Sequence, residues 1–291
     1  VIEKGRIWVC ADALPASVQN QILAMGSYWN PAYRSQKNKF ATGPRIVSLA
    51  RCETHGPQSG SQNADSENTE NKNNTGLGTR WISLPRHLKA PLLYRLSQAG
   101  ATVDLQDWES EGQSVPMEFN GELRPEQVSL ASALYQKGSG ILEAATGTGK
   151  TVIGAALIAQ ISRSTLILVN SKEILQGWVS SLNRFLHFSS PEWENWKAPS
   201  KNYPGKIGVL QGATRSLSGR VDVAMVPSLV QKENLEELLS GYGVVFVDEC
   251  HHAGSPSYQK VLDALQAKRV YGLSATPKRT DGLSTSMFWQ L

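Results

Sequence analysis

Residues 144–151 read AATGTGKT, and these residue types at this spacing are suited to gripping a phosphate. As A-x-x-x-x-G-K-T, the stretch is a phosphate-binding loop with alanine in place of its first glycine. A short apolar strand at 140–143 leads into it and an alanine-rich helix leaves it. The backbone N–H groups of Thr146, Gly147, Thr148, Gly149, Lys150 and Thr151, following Ala145, can wrap an anion at the helix N-terminus. There the helix dipole favours negative charge. Gly147 and Gly149 permit close backbone approach, Lys150 reaches the β- and γ-phosphates, and the Thr151 hydroxyl suits Mg²⁺. A glycine-rich turn before a helix is common by itself; the flanking strand and helix are what favour a nucleotide.

A second constellation follows the apolar run 244–247, which enters Asp248, Glu249, Cys250, His251 and His252 directly. Carboxylates at the C-terminal end of a parallel strand stand where such sheets bind ligands. Hydrolysis of a nucleoside triphosphate needs one carboxylate on Mg²⁺ and another to orient and deprotonate water. Asp248 fits the first role and Glu249 the second. Taken alone, the pair also fits an acidic helix start. Ser274 and Thr276, in 272–277, end a further strand, where hydroxyls can link a γ-phosphate to the opposite face. In isolation that segment is an ordinary strand-to-turn exit.

These residues need a scaffold, and the pattern from 116 onward supplies one. Helices are expected at 125–137, 150–161, 172–186, 228–239 and 257–267. They alternate with strands at 141–143, 165–169, 206–210, 221–226, 244–247 and 269–273. Strands that are continuous apolar runs indicate an α/β domain whose parallel sheet is covered on both faces. Residues 188–204 are expected as an inserted surface loop.

The first 115 residues read as a small α+β domain. Strands at 6–10, 45–51, 80–84 and 101–105, with helices at 15–25 and 85–98, give the order β-α-β-β-α-β of a split βαβ sandwich. Residues 56–79 are almost wholly polar or glycine and are expected as a disordered loop. Residues 108–115 are expected as a linker.

Composition narrows the class. The 291 residues suffice for two domains, 1–115 and 116–291, and carry a net charge of +4. Lys and Arg number 12 before residue 116 and 17 after it, against 10 and 15 acids, so nucleic-acid affinity would need local patches. Cys10, Cys52 and Cys250 lie far apart, which argues against a disulfide scaffold or zinc module and suits a reducing compartment. No membrane span or signal pattern is evident, so a cytoplasmic location is expected, with no membrane partner. The chain starts without Met and stops at Leu291, which suggests a fragment.

AATGTGKT, DECH (248–251), SAT (274–276) and LRPEQ (123–127), in this setting, resemble motifs I, II, III and the Q-like motif of superfamily 2 helicases. The ending SATPKRTDG (274–282) is similar to the restriction-enzyme-like and DEAH-type branch. The resemblance covers 117–291 and implies a RecA-like domain with ATP and Mg²⁺ as cofactors and a nucleic acid as track. It implies that Gln127 contacts adenine with Arg124 nearby, that Lys150 and Thr151 bind phosphate and Mg²⁺, and that Asp248 and Glu249 act as above. His251 would couple the nucleotide to Ser274 and Thr276. Residues 169–178 are similar to motif Ia, with Gly177 where many relatives carry Gln. Residues 223–229 are similar to motif Ib, with an unusual Pro227, and Gln211 and Gly212 lie between. The family needs a second RecA-like domain bringing arginine fingers, and nothing after Gly282 is long enough to form it. ATP binding with weak turnover is therefore expected of these residues alone.

Between Ala13 and Cys52 stand Arg34, Lys37, Lys39, Arg45 and Arg51 and no acid, interleaved with Tyr28, Trp29, Tyr33 and Phe40. Such residues can neutralise phosphates and stack bases, or simply form a solvated loop pinned by aromatics. Segments 30–36, 44–46 and 83–86 resemble the leader before some prokaryotic and phage helicases, which is similar to a DNA-damage or duplex-recognition domain. The expected function is an ATP-dependent DNA helicase or translocase with duplex or branched DNA as partner. The rivals are a restriction or defence motor that translocates without unwinding, and a non-motor ATP-gated DNA-binding module. RNA stays an alternative track, because groups that read a 2′-hydroxyl leave no sequence signature.

Overall fold

Alternation along the apolar strands explains why they are apolar throughout. In the strand Thr165–Val169, Ile167 and Val169 face one hydrophobic cluster while Leu166 and Leu168 face another. Val244 and Phe246 divide from Val245 and Val247 in the same way. A strand buried on both faces favours apolar residues at every position, and a polar one such as Asp222 in the strand 221–225 must be hydrogen-bonded.

The structure is a computed structural model that describes residues 1–4, 6–29, 46–54, 80–189, 198, 200–275 and 291. Its contacts divide the chain into two units, Val1–Trp108 and Glu109–Leu291.

In the first unit the order is β1 (Ile2–Lys4), β2 (Arg6–Cys10), α1 (Ala16–Met25), β3 (Ser27–Trp29), β4 (Ile46–Ser48), β5 (Arg51–Glu53), β6 (Trp81–Pro85), α2 (Lys89–Gln98) and β7 (Gln106–Asp107). One sheet runs β5-β6-β2-β1-β7, and β3 with β4 forms a separate ribbon. The neighbours β5, β6, β2 and β1 are antiparallel, while β7 lies parallel to β1. The sheet positions of β5, β6, β2 and β7 follow a split βαβ, but β1 folds back on β2 and is inserted before β7. The strand expected over 45–51 is divided between β4 in the ribbon and β5 in the sheet. The strand expected over 101–105 gives way to β7, aligned by Gln106 N–H donating to the Val1 carbonyl at 2.8 Å. Residues 56–79 lie outside the described residues.

The second unit contains β8 (Met117–Phe119), α3 (Pro125–Lys137), β9 (Gly140–Glu143), α4 (Lys150–Ile161), β10 (Thr165–Val169), α5 (Lys172–Phe185), β11 (Leu186–Phe188) and β12 (Gly208–Gln211). β13 (Thr214–Ser216), β14 (Val221–Met225), α6 (Val226–Leu229), α7 (Leu235–Leu239), β15 (Val244–Asp248), α8 (Pro256–Asp263) and β16 (Arg269–Ser274) follow. Seven strands form one sheet in the order β13-β12-β14-β10-β15-β16-β9, parallel except for the β12–β13 hairpin. Helices α3, α4 and α5 pack on one face and α6, α7 and α8 on the other.

Four local expectations are corrected. The helix expected over 228–239 is two helices, because the polar run 231–234 interrupts the apolar face and Leu238 N–H restarts the helix on the Asn234 carbonyl. Pro227 falls in the first turn of α6, where proline is tolerated. The helix α8 stops at Asp263, and the backbone at 266–268 pairs with Ser110 instead. That pairing also removes the expected linker, since Glu111 binds Lys268 at 2.6 Å and Val115 N–H donates to the Ser162 carbonyl. Within 188–204, Phe188 extends β11 and Tyr203 is buried, its hydroxyl bonded to Gln211 Oε1 at 2.5 Å; residues 190–197 and 199 lie outside the described residues. No helix among the described residues is long and apolar enough to cross a membrane.

Candidate nucleotide site

The phosphate-type loop connects β9 to α4 and begins at the C-terminal end of an edge strand. Gly149 caps α4 at φ +80°, and Gly147 lies at φ +84°, both in the left-handed region that disfavours a side chain. A Cβ on Gly149 would stand 2.6 Å from Gln127 Nε2, so only glycine fits there. Ala145, Thr146 and Gly147 are exposed. Thr148 Oγ1 donates to the Ala145 carbonyl at 2.7 Å, and Lys150 Nζ donates to the carbonyls of Ala144 (2.8 Å) and Ala145 (3.3 Å). Thr151 occupies the first turn of α4.

Asp248 ends β15, and only β16 separates β15 from β9. The acidic pair and the lysine loop therefore share one rim of the sheet. Asp248 Oδ2 accepts from Trp178 Nε1 at 2.7 Å and Oδ1 accepts from Glu249 N–H at 2.9 Å. Glu249 sits at φ +47°, uncommon for a residue with a side chain. Its Oε2 lies 3.2 Å from His251 Nδ1, which also lies 3.4 Å from Ser274 Oγ. Ser274 ends β16, and its carbonyl accepts from Ala144 N–H at 3.1 Å. The contacts thus link the loop to Ser274, His251, Glu249 and Asp248 in succession. Thr276 lies outside the described residues.

Gln127, the expected adenine contact, has its side-chain amide bonded within the protein. It is buried, its Oε1 accepts from Arg124 N–H at 2.9 Å, and its Nε2 donates to the Thr148 carbonyl at 2.8 Å. The amide joins the start of α3 to the phosphate loop. Arg124 is the N-cap of α3. Cys250, between Glu249 and His251, is fully buried, and its thiol is pushed up to about 12 by burial first and then by the charges of Asp248 and Glu249.

The motif Ia- and Ib-like segments leave the same sheet edge from β10 and β14. Ser171 caps α5 by accepting from Ile174 N–H, with Lys172 in its first turn. Gly212 N–H donates to Ser228 Oγ at 3.2 Å, so the segment after β12 meets the start of α6. A groove of about 730 Å³ opens there, lined by Gly212, Arg215, Ser228, Lys232 and Asn234 among others. Of the amino-terminal cations, Arg34, Lys37, Lys39 and Arg45 lie outside the described residues; Arg51 is exposed on β5.

Sequence reasoning missed two contacts at the candidate site, those of Trp178 with Asp248 and of Gln127 with the loop. A signal existed for the first: Leu175, Trp178, Val179 and Leu182 repeat at helical spacing and mark the indole as inward-facing.

The family described as the type III restriction enzyme, res subunit, matches residues 120–279, more than half of the chain. The chain belongs to this family. This member's second unit is a RecA-like domain of the superfamily 2 helicase type. It is 30% identical over 183 residues to the DNA 3′-5′ helicase XPB of Mycobacterium tuberculosis, covering 61% of this chain and 31% of that one. It is also 30% identical over 141 residues to a putative ATP-dependent RNA helicase of African swine fever virus, covering 47% and 25%. The chain spans between 27% and 32% of the length of the first curated relatives it matches. Among solved structures, the UvsW helicase of bacteriophage T4 is similar in fold, with a TM-score of 0.54 at 14% identity, covering 94% of this chain and 92% of that one.

Proposed function

We propose that this ResIII-family chain binds ATP with Mg²⁺ between the loop holding Lys150 and the acidic pair Asp248–Glu249. Hydrolysis there would be coupled to movement on DNA. The observation carrying this reading is the shared rim: loop and carboxylates stand at the C-terminal ends of β9 and β15 with one strand between. The donor set fits the metal. No cluster of three or more His, Cys, Asp or Glu among the described residues could hold an ion by itself. Mg²⁺ usually takes one or two carboxylates together with substrate phosphates, so Asp248 and Thr151 suffice. Asp248 has two lone pairs engaged and two in reserve. When bound, Mg²⁺ supplies charge neutralisation at the phosphates.

The remaining roles fall to this chain's own side chains. Lys150 exchanges the carbonyls of Ala144 and Ala145 for phosphate oxygens. Glu249 leaves His251 to orient and deprotonate water, and His251 reports the change to Ser274. Nucleic-acid contact would fall to the groove between Gly212 and Ser228 on the other half of the same edge, where Arg215 and Lys232 stand beside Glu233 and Glu237. Completion by a second RecA-like domain, and duplex recognition by the first unit, belong to the same reading. Translocation without unwinding is the second reading, favoured by the restriction-subunit family match.

The test is ATP turnover by the chain with duplex DNA, single-stranded DNA and RNA. A slow, nucleic-acid-stimulated hydrolysis that is lost in Glu249→Gln, with nucleotide binding retained, is expected. Lys150→Ala removes charge-assisted hydrogen bonds of about 1.5–3 kcal/mol each and should weaken ATP binding about tenfold or more. Turnover indifferent to both substitutions would overturn the assignment. Stimulation by RNA alone would change the track, and strand-displacement assays separate unwinding from translocation.

A further inference from the structure

Trp178 connects two elements that the sequence keeps far apart. Its indole N–H donates to Asp248 Oδ2 at 2.7 Å across 70 residues of chain. The ring is 1% exposed and tilts against Phe246 on β15, with centroids 6.3 Å apart. Its far edge rests on Gly154 of α4, where an added Cβ would stand 2.7 Å from the ring carbon Cη2. One rigid side chain thus touches the helix that begins with Lys150 and Thr151, and also the carboxylate at the end of β15.

We infer that Trp178 is a positioning residue that fixes Asp248, and its spacing from α4, for a divalent cation. This deepens the nucleotide-site reading above and rests on it. An indole N–H is a donor only, so it holds Oδ2 as an acceptor and fixes the carboxylate plane. The backbone N–H of Glu249 fixes Oδ1. With both oxygens oriented before the ion arrives, Asp248 needs no reorganisation on binding it. Partners that orient a ligating carboxylate typically contribute 10–100-fold to metal affinity. Gly154 is the shelf this arrangement requires: alanine there would displace the ring.

The experiment compares the chain with Trp178→Phe, which keeps an aromatic ring and removes the N–H. A fluorescent ATP analogue is titrated in EDTA, then Mg²⁺ is titrated at fixed nucleotide. The expected result is unaltered nucleotide affinity in EDTA and a Mg²⁺ midpoint raised about 10–100-fold. An unchanged midpoint in a folded variant overturns this inference and leaves the nucleotide site standing. A wild-type chain that binds nucleotide in neither condition overturns the nucleotide site and this role with it. Should the variant fail to fold, the wild type suffices. With the eight tryptophans labelled at the indole nitrogen, Mn²⁺ with ATP should broaden the resonance of an indole buried against the site. No broadened indole would overturn the inference.

Discussion

The side-chain amide of Gln127 donates to the carbonyl of Thr148 and accepts from the N–H of Arg124, fastening the phosphate loop to the first turn of α3. The residue is 6% exposed, so the amide acts as an internal brace. Loop shape therefore depends on a residue outside the loop.

Gln127→Glu separates the two bonds. A carboxylate still accepts from Arg124 N–H but faces the Thr148 carbonyl oxygen with no donor. The expected loss is about 1–3 kcal/mol at the loop anchor, seen as a lower melting temperature and weaker ATP binding. Equal ATP affinity in the two proteins would show that the brace is irrelevant to the site.

Hydrolysis by these 291 residues without added partners should be slow. The described residues hold one RecA-like sheet, and an arginine supplied from outside a nucleotide cleft contributes about 10³–10⁵ in rate. Rapid DNA-stimulated turnover by this chain in a steady-state phosphate-release assay would contradict the prediction.

Thiol chemistry should distinguish Cys52 from Cys250. Cys52 is exposed, whereas Cys250 is buried with its thiol pushed up to about 12. Only thiolate reacts, so mildly alkaline alkylation should modify Cys52 first and reach Cys250 only on unfolding. Peptide mass spectrometry after timed alkylation reads the order; early labelling of Cys250 would mean that the turn after β15 opens readily.

At the other end of the sheet, Asp222 accepts from Ser218 N–H (2.7 Å), Ser218 Oγ (2.7 Å), Gly219 N–H (2.8 Å) and Tyr242 Oη (2.6 Å). Burial raises the Asp222 carboxyl above its ordinary value, opposed by these donors. Asp222→Asn turns an acceptor into a donor facing donors and should cost about 1–3 kcal/mol. A folded-state value above the unfolded one means that the carboxyl stabilises the fold most when protonated, and the benefit falls as pH rises past the unfolded value. The stability gap between wild type and Asp222→Asn in urea unfolding should accordingly narrow with rising pH; a widening gap would reverse the sign of the shift.

The sequence by itself determined whatever is encoded in neighbouring residues. The apolar runs at 165–169 and 244–247 dictate doubly covered strands, and the glycines at 147 and 149 dictate a tight turn into the helix that begins at Lys150, because burial and backbone freedom are local demands. The bounds of α3 and α4 follow from the same local pattern. Tertiary structure alone decided that β1 intervenes before β7, that the 228–239 segment breaks, and that residues 109–115 strap onto the second unit. It also decided which donors hold Asp248 and where Gln127 points. Those outcomes depend on pairs such as Trp178 and Asp248, and no periodicity along the chain records a hydrogen bond between groups that folding alone brings together.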